Sequence, residues 1–168
     1  MSTITPEEFA QLQKKFSEIK LAINSALAVM MALSEMSRRR PDYSEKLAST
    51  VLTKAPQIAS SLKEFTQALN EKAGPIMSNS AHNISHEEIV ELQKKFSEIK
   101  FAISSALVVM VALSEMSRGR PDWCRSTTKS LEHYSEKLAS TVLTKAPQIV
   151  SSLQEFTQAL NEGWPDHE

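Results

Sequence analysis

The chain is one passage of sequence written twice. Residues 7–42 return 80 positions later as residues 87–122, with 28 of 36 pairs identical. Residues 43–71 return 91 positions later as residues 134–162, with 27 of 29 pairs identical. A repeat of this length that carries two helical patterns is a duplicated supersecondary unit, here a hairpin, and not a single element. One such hairpin is about 70–80 residues, near the size at which a lone core barely stabilises a fold. Packing against its twin removes that difficulty. The division that follows is a first hairpin in residues 1–76 and a second in residues 77–168, joined by tandem duplication or fusion into one body. With copies this alike, sameness between them says nothing about selection.

The first helix of each copy is marked by a narrow apolar seam. Phe9, Leu12, Phe16, Ile19, Ile23, Ala26, Met30 and Leu33 follow one another at alternating spacings of 3 and 4. Ile89, Leu92, Phe96, Ile99, Ile103, Ala106, Met110 and Leu113 repeat the pattern. Four heptads of this kind specify a long helix packed at a shallow angle, as in a coiled coil or an antiparallel bundle. Thr5, Pro6, Glu7 and Glu8 supply a cap, an N1 proline and first-turn carboxylates. Ser85 with Glu88 reads as a capping box for the second copy. Arg38, Arg39 and Arg40 suit a helix C-terminus, and Pro41 ends the helix. From Ala22 the apolar face widens, with Leu27, Val29 and Met31 joining the seam, and Leu107, Val109 and Val111 in copy two. A hairpin cannot cover so broad a face alone, so its mate is expected to cover it.

The second helix carries Leu47, Val51, Ala55, Ile58, Leu62, Phe65 and Leu69, repeated as Leu138, Val142, Ala146, Ile149, Leu153, Phe156 and Leu160. Pro56 and Pro147 interrupt this stripe, yet its phase survives across them, which favours one kinked helix over two short ones. Residues 71–85, rich in Gly, Pro, Asn and Ser, form the joint between copies. The copies differ most at the hairpin turn, where copy two inserts the eleven residues 123–133. Within it, residues 129–133 are expected to extend the following helix, with Leu131 seven residues before Leu138, and residues 121–128 to form an exposed turn. The expected architecture is all-α: a tandem duplication of a long helical hairpin forming an antiparallel four-helix bundle.

Composition narrows the function classes. Nineteen basic and twenty acidic residues leave a net charge of −1, so total charge recruits neither nucleic acid nor an anionic membrane. The polar N-terminus shows no signal peptide, and the thirteen-residue apolar runs 21–33 and 101–113 rise only about 20 Å, short of a bilayer core. A single cysteine, Cys124, allows no internal disulfide and fits a reducing compartment. The expectation is a cytoplasmic protein without membrane contact.

Reactive chemistry has little to stand on. His82 and His86 beside Glu87 and Glu88 would make a zinc corner only in a helical linker, and a solvated linker is the simpler reading. Cys124 beside Arg125 lacks the context of a catalytic dyad. Three glycines leave little for a phosphate-cradling loop, and no nucleophile elbow is present. The expectation is no enzyme and no cofactor. The candidate binding residues are Arg118, Arg120, Trp123, Arg125 and Lys129 at the second hairpin turn, which combine phosphate-pairing charge with an aromatic platform. Helix C-termini attract arginine for electrostatic reasons alone, so this signal is ambiguous.

Three function classes follow. The leading one is a non-catalytic interaction module, an adaptor or regulatory bundle that binds a partner protein. The second is a nucleic-acid-binding bundle that uses the arginine-bearing turns. The third is a carrier of an apolar ligand in an interior lined by Met30, Met31, Met36, Met110 and Met116, although such residues more often fill a core. Self-association is expected as an intramolecular pseudo-dimer, with a dimer that swaps hairpins through residues 71–85 as its rival.

Overall fold

The computed structural model describes residues 4–72, 86–118 and 128–162. Among these it holds four helices and no strand: α1 (Pro6–Arg39), α2 (Tyr43–Lys72), α3 (His86–Ser117) and α4 (Thr128–Glu162). α1 starts and stops where local chemistry dictates. At α1 the Thr5 hydroxyl accepts from the Glu8 amide at 3.3 Å, and the Glu8 carboxylate accepts from the Thr5 amide at 3.0 Å. This reciprocal box satisfies two otherwise orphaned donors. Ile4, just outside the cap, and Phe9, four residues inside it, are both buried, the two positions of a hydrophobic staple. At the far end Arg40 is extended and its amide closes onto the Met36 carbonyl at 2.8 Å. Pro41 and Asp42 then turn the chain directly into α2.

The helices form a ring in chain order. α1 packs on α2 and α4, α3 packs on the same two, and α1 and α3 occupy opposite corners. Side-chain bonds fix the directions. Gln13, early in α1, donates to the Leu160 carbonyl and to Asn161 Oδ1 late in α4, both at 3.4 Å. Arg38, late in α1, donates to Ser140 early in α4 at 3.3 Å. Gln93 of α3 donates to Asn70 of α2 at 3.1 Å. Gln13 and Gln93 are equivalent positions in the repeat, as are Asn70 and Asn161, so each copy makes to the other the contact it receives. The result is an antiparallel four-helix bundle with a pseudo-two-fold axis along it.

That axis passes through a layer of four phenylalanines, all buried. Within copies, the Phe16–Phe65 centroids lie 5.2 Å apart and Phe96–Phe156 5.3 Å. Between copies, Phe16–Phe156 is 4.7 Å and Phe65–Phe96 4.6 Å. The diagonals are 6.4 and 6.0 Å. All lie in the range where tilted or edge-on rings attract beyond their burial, by about 0.5–1.5 kcal/mol per pair. Toward the other end the core residues are smaller: Ala26, Ala48 and Ala55 with Ala106, Ala139 and Ala146. There the hydroxyls of buried Ser34 and Ser114 donate to the carbonyls of Met30 and Met110 at 2.7 Å, which satisfies them inside their own helices.

Every seam residue named from the sequence is buried except Ile99, which is half-buried against the core. α2 and α4 run through Pro56 and Pro147 as single helices. Both prolines are exposed while Ala55 and Ala146 face inward, so each missing hydrogen bond lies on the watered side. α4 begins at Thr128, which places residues 129–133 in the helix and brings Leu131 to a half-buried position. One expectation is corrected. The mate covers only part of the widened face: Leu27 and Leu107 are buried and Met31 and Val111 are half-buried, but Val29 and Val109 are exposed. Four corners each bury about half a helix, and Val29 and Val109, about 100° round the helix from the middle of the seam, fall outside that arc.

Candidate functional site

The arginine-bearing turns divide between what the structure describes and what it leaves out. Arg120, Trp123 and Arg125 lie outside the described residues, as do Cys124, His82 and Ser85. Arg118 is exposed at the end of α3, and Lys129 falls in the first turn of α4. The matching turn of copy one shows how such arginines are used. Arg40 pairs with Asp42 at 3.3 Å and lies over the Tyr43 ring at 5.4 Å. Arg38 is held by Ser140, beside a groove of about 470 Å³ that Glu132 and Glu136 of α4 also line. Carboxylates from the extended α4 therefore stand among these cations and dilute any anion-attracting field.

A different surface emerges on the outer sides of α1 and α3. Phe101 is 76% exposed and Val108 67%, and Val90, Val109 and Met116 are exposed on the same side of α3. Steps of 7, 8 and 15 residues from Phe101 return to one helix face, so these form a stripe. Ser105 lies within it, but its hydroxyl donates to the Phe101 carbonyl at 2.8 Å, so it asks little of a partner. The equivalent stripe on α1 holds Leu21, Ala28, Val29 and Met36, with Ser25 turned onto the Leu21 carbonyl at 2.8 Å. The outward faces of α2 and α4 are polar by contrast, carrying residues such as Lys63, Glu64, Gln67, Glu136 and Lys137.

Each stripe borders a groove within its own hairpin. Between α1 and α2 a groove of about 320 Å³ has Ala22, Ala26 and Val29 on one wall and Lys54, Gln57 and Ser61 on the other. Between α3 and α4 its twin, of about 350 Å³, has Ala102, Ala106 and Val109 facing Lys145, Gln148 and Ser152. Small side chains let a neighbouring backbone approach, and the lysine and glutamine wall supplies a polar rim. Because α1 and α3 stand at opposite corners, the two stripes face opposite directions.

The methionine set is split by this geometry. Met30 and Met110 are wholly buried core, Met31 is half-buried, and Met36 and Met116 face outward. By length and composition alone α1 and α3 each contain an 18-residue window apolar enough to cross a membrane, of which 39% and 33% is buried in the bundle. Core helices pass the same test. Among the described residues no three His, Cys, Asp or Glu side chains gather as a metal set would require.

Sequence reading passed over Phe101 and Val108, although a signal was present. Of the eight differences between the first 36 pairs, three put more apolar bulk off the seam in copy two: Ala10 is matched by Val90, Leu21 by Phe101 and Ala28 by Val108. No family model, curated protein or solved structure matches the chain, so its function is argued from this geometry alone.

Proposed function

We propose that the protein is a non-catalytic interaction module that docks partner proteins along the outward apolar stripes of α1 and α3. The observation that carries this reading is the exposure of Phe101 and Val108 on a helix whose seam is already satisfied. An exposed row of this length marks recognition more often than accident. The partner element of matching chemistry is an amphipathic helix, which would lay its apolar side against the stripe and groove and meet lysine and glutamine at the edge. Two stripes facing opposite ways make the module bivalent. They also argue against a bilayer as the target, since one planar surface meets one stripe at a time, and they fit a cytoplasmic adaptor.

The test compares variants in a pull-down from the source cell. Leu21→Asp with Val29→Asp is expected to keep the helicity and melting temperature of the parent and to lose a protein species that the parent enriches. Recovery of nucleic acid instead, weakening steeply with salt and lost on Arg118→Ala, would overturn the reading in favour of nucleic-acid binding.

A further inference from the structure

The α3 stripe is self-complementary, and the geometry points to a second copy of this chain as its occupant, packed antiparallel through α3. The inference rests on the docking reading above and names the partner for one of its two faces. Consider a two-fold axis crossing α3 between Ser104 and Ser105. Any residue i of one copy then meets residue 209 − i of the other, because an isologous contact is reciprocal. Phe101 meets Val108, and Val108 meets Phe101. The same axis brings Lys94 to Glu115 and Glu115 to Lys94. Ser97 meets Ala112, and the serines at the centre keep the crossing narrow. All of these except half-buried Ser104 are exposed on α3, and neither Lys94 nor Glu115 is in an ion pair among the described residues. One axis thus satisfies the two largest exposed apolar groups and two opposite charges at the ends of the stripe.

Phe101 and Val108 are the most exposed apolar residues of α3, and the axis covers both pairs at once, with Val109 and Met116 set against the stems of Lys100 and Gln93 at the edges. The α1 stripe has the same spacing, with Lys14, Leu21, Ala28 and Glu35, but Ala28 leaves Leu21 no counterpart of comparable size. Pairing through α3 therefore comes first. It leaves both α1 stripes at the far ends of the dimer, open to other partners.

The experiment uses the full chain. Light scattering across a dilution series is expected to show a species of about 37 kDa, twice the 18.7 kDa chain, that dissociates on dilution. Phe101→Asp with Val108→Asp is expected to leave only the monomer, with the melting temperature of the parent diluted to its own monomer. Lys94→Glu, which creates two like-charge meetings per dimer, should weaken association about ten-fold, and adding Glu115→Lys should restore it. With Cys124→Ser as background, Ser105→Cys should oxidise to a covalent dimer, because the two sulfurs lie near the axis. Ser97→Cys alone should not, since its own copy is displaced by about 15 residues, or roughly 22 Å along the helix. A monomer at every concentration overturns the inference. So does a dimer indifferent to Phe101→Asp and Val108→Asp, which would be a hairpin swap. Either result leaves the docking of other proteins on α1 to be judged by Leu21→Asp with Val29→Asp.

Discussion

The two ends of the bundle solve one packing problem in opposite ways. At the end holding the starts of α1 and α3, the core is built around four phenylalanine rings, and the outside carries charges such as Lys14, Glu18, Lys94 and Glu98 beside exposed Val90. Toward the other end buried Ala26, Ala48, Ser34 and Met30 lie among Leu27, Leu33, Leu47 and Val51, with their counterparts in copy two, while Phe101 at the middle of α3 and Val108 and Val109 beyond it lie outside. The a/d seam runs unbroken through both. The contrast shows that regular spacing fixes which side of a helix turns inward, while residue size decides how much apolar matter is left over. The aromatic end spends its bulk inside and anchors the fold. The end with the smaller core residues leaves more apolar bulk outside.

Several changes would break or sharpen this contrast. The largest effect should come from Ile103→Asp. Ile103 is fully buried, and an unpaired carboxylate there should destabilise by more than about 4 kcal/mol, seen as lost helicity by circular dichroism. A variant that kept a cooperative melt would show the seam to be misplaced. Phe16→Ala should cost about 3–5 kcal/mol in denaturant unfolding, and Phe96→Ala the same within error because the layer is symmetric. A double-mutant cycle on Phe16 and Phe156 should then return about 0.5–1.5 kcal/mol of coupling, which would tie the two copies together energetically. Unequal costs at Phe16 and Phe96 would mean that the copies differ in ways their near-matching distances do not show.

A smaller change, of opposite sign, is expected at Asn24. Its Oδ1 is buried without a hydrogen-bond partner, whereas copy two has Ser104 at this place. Asn24→Ser should raise stability by about 1 kcal/mol, read from the denaturation midpoint, because a buried acceptor left unmet carries its full desolvation penalty. The smallest effect on stability belongs to the stripes. Phe101→Ser and Leu21→Ser should each shift unfolding by less than about 0.5 kcal/mol while changing association. Exposed groups that hold the fold together would contradict the division between the two ends.

Much of this fold was legible in the chain. The alternation of 3 and 4 from Phe9 to Leu33, the cap at Thr5 and the stop at Pro41 are local signals, and local physics obeyed them. The passage of α2 and α4 through Pro56 and Pro147 was legible for the same reason, because an apolar phase that survives a proline favours one helix over two. The exposed stripe was not. Val29 and Val109 look like core by hydrophobicity, and only the position of neighbouring helices puts them in water. Ile4 was missed because its burial depends on the staple position beside Phe9 and not on any period.

The repeat and its periodicity were enough to establish helices, hairpins and an antiparallel bundle, since each follows from which residues recur on one side of a 3.6-residue turn. They could not say where α1 and α3 would stand in the ring. Placing those helices at opposite corners made two stripes that face away from each other, and it brought Gln13 to Asn161 and Phe16 to Phe156 across the copies. Sequence patterns report the inward side of each helix. Burial is shared among four of them, so only their assembly could decide which apolar residues were left uncovered.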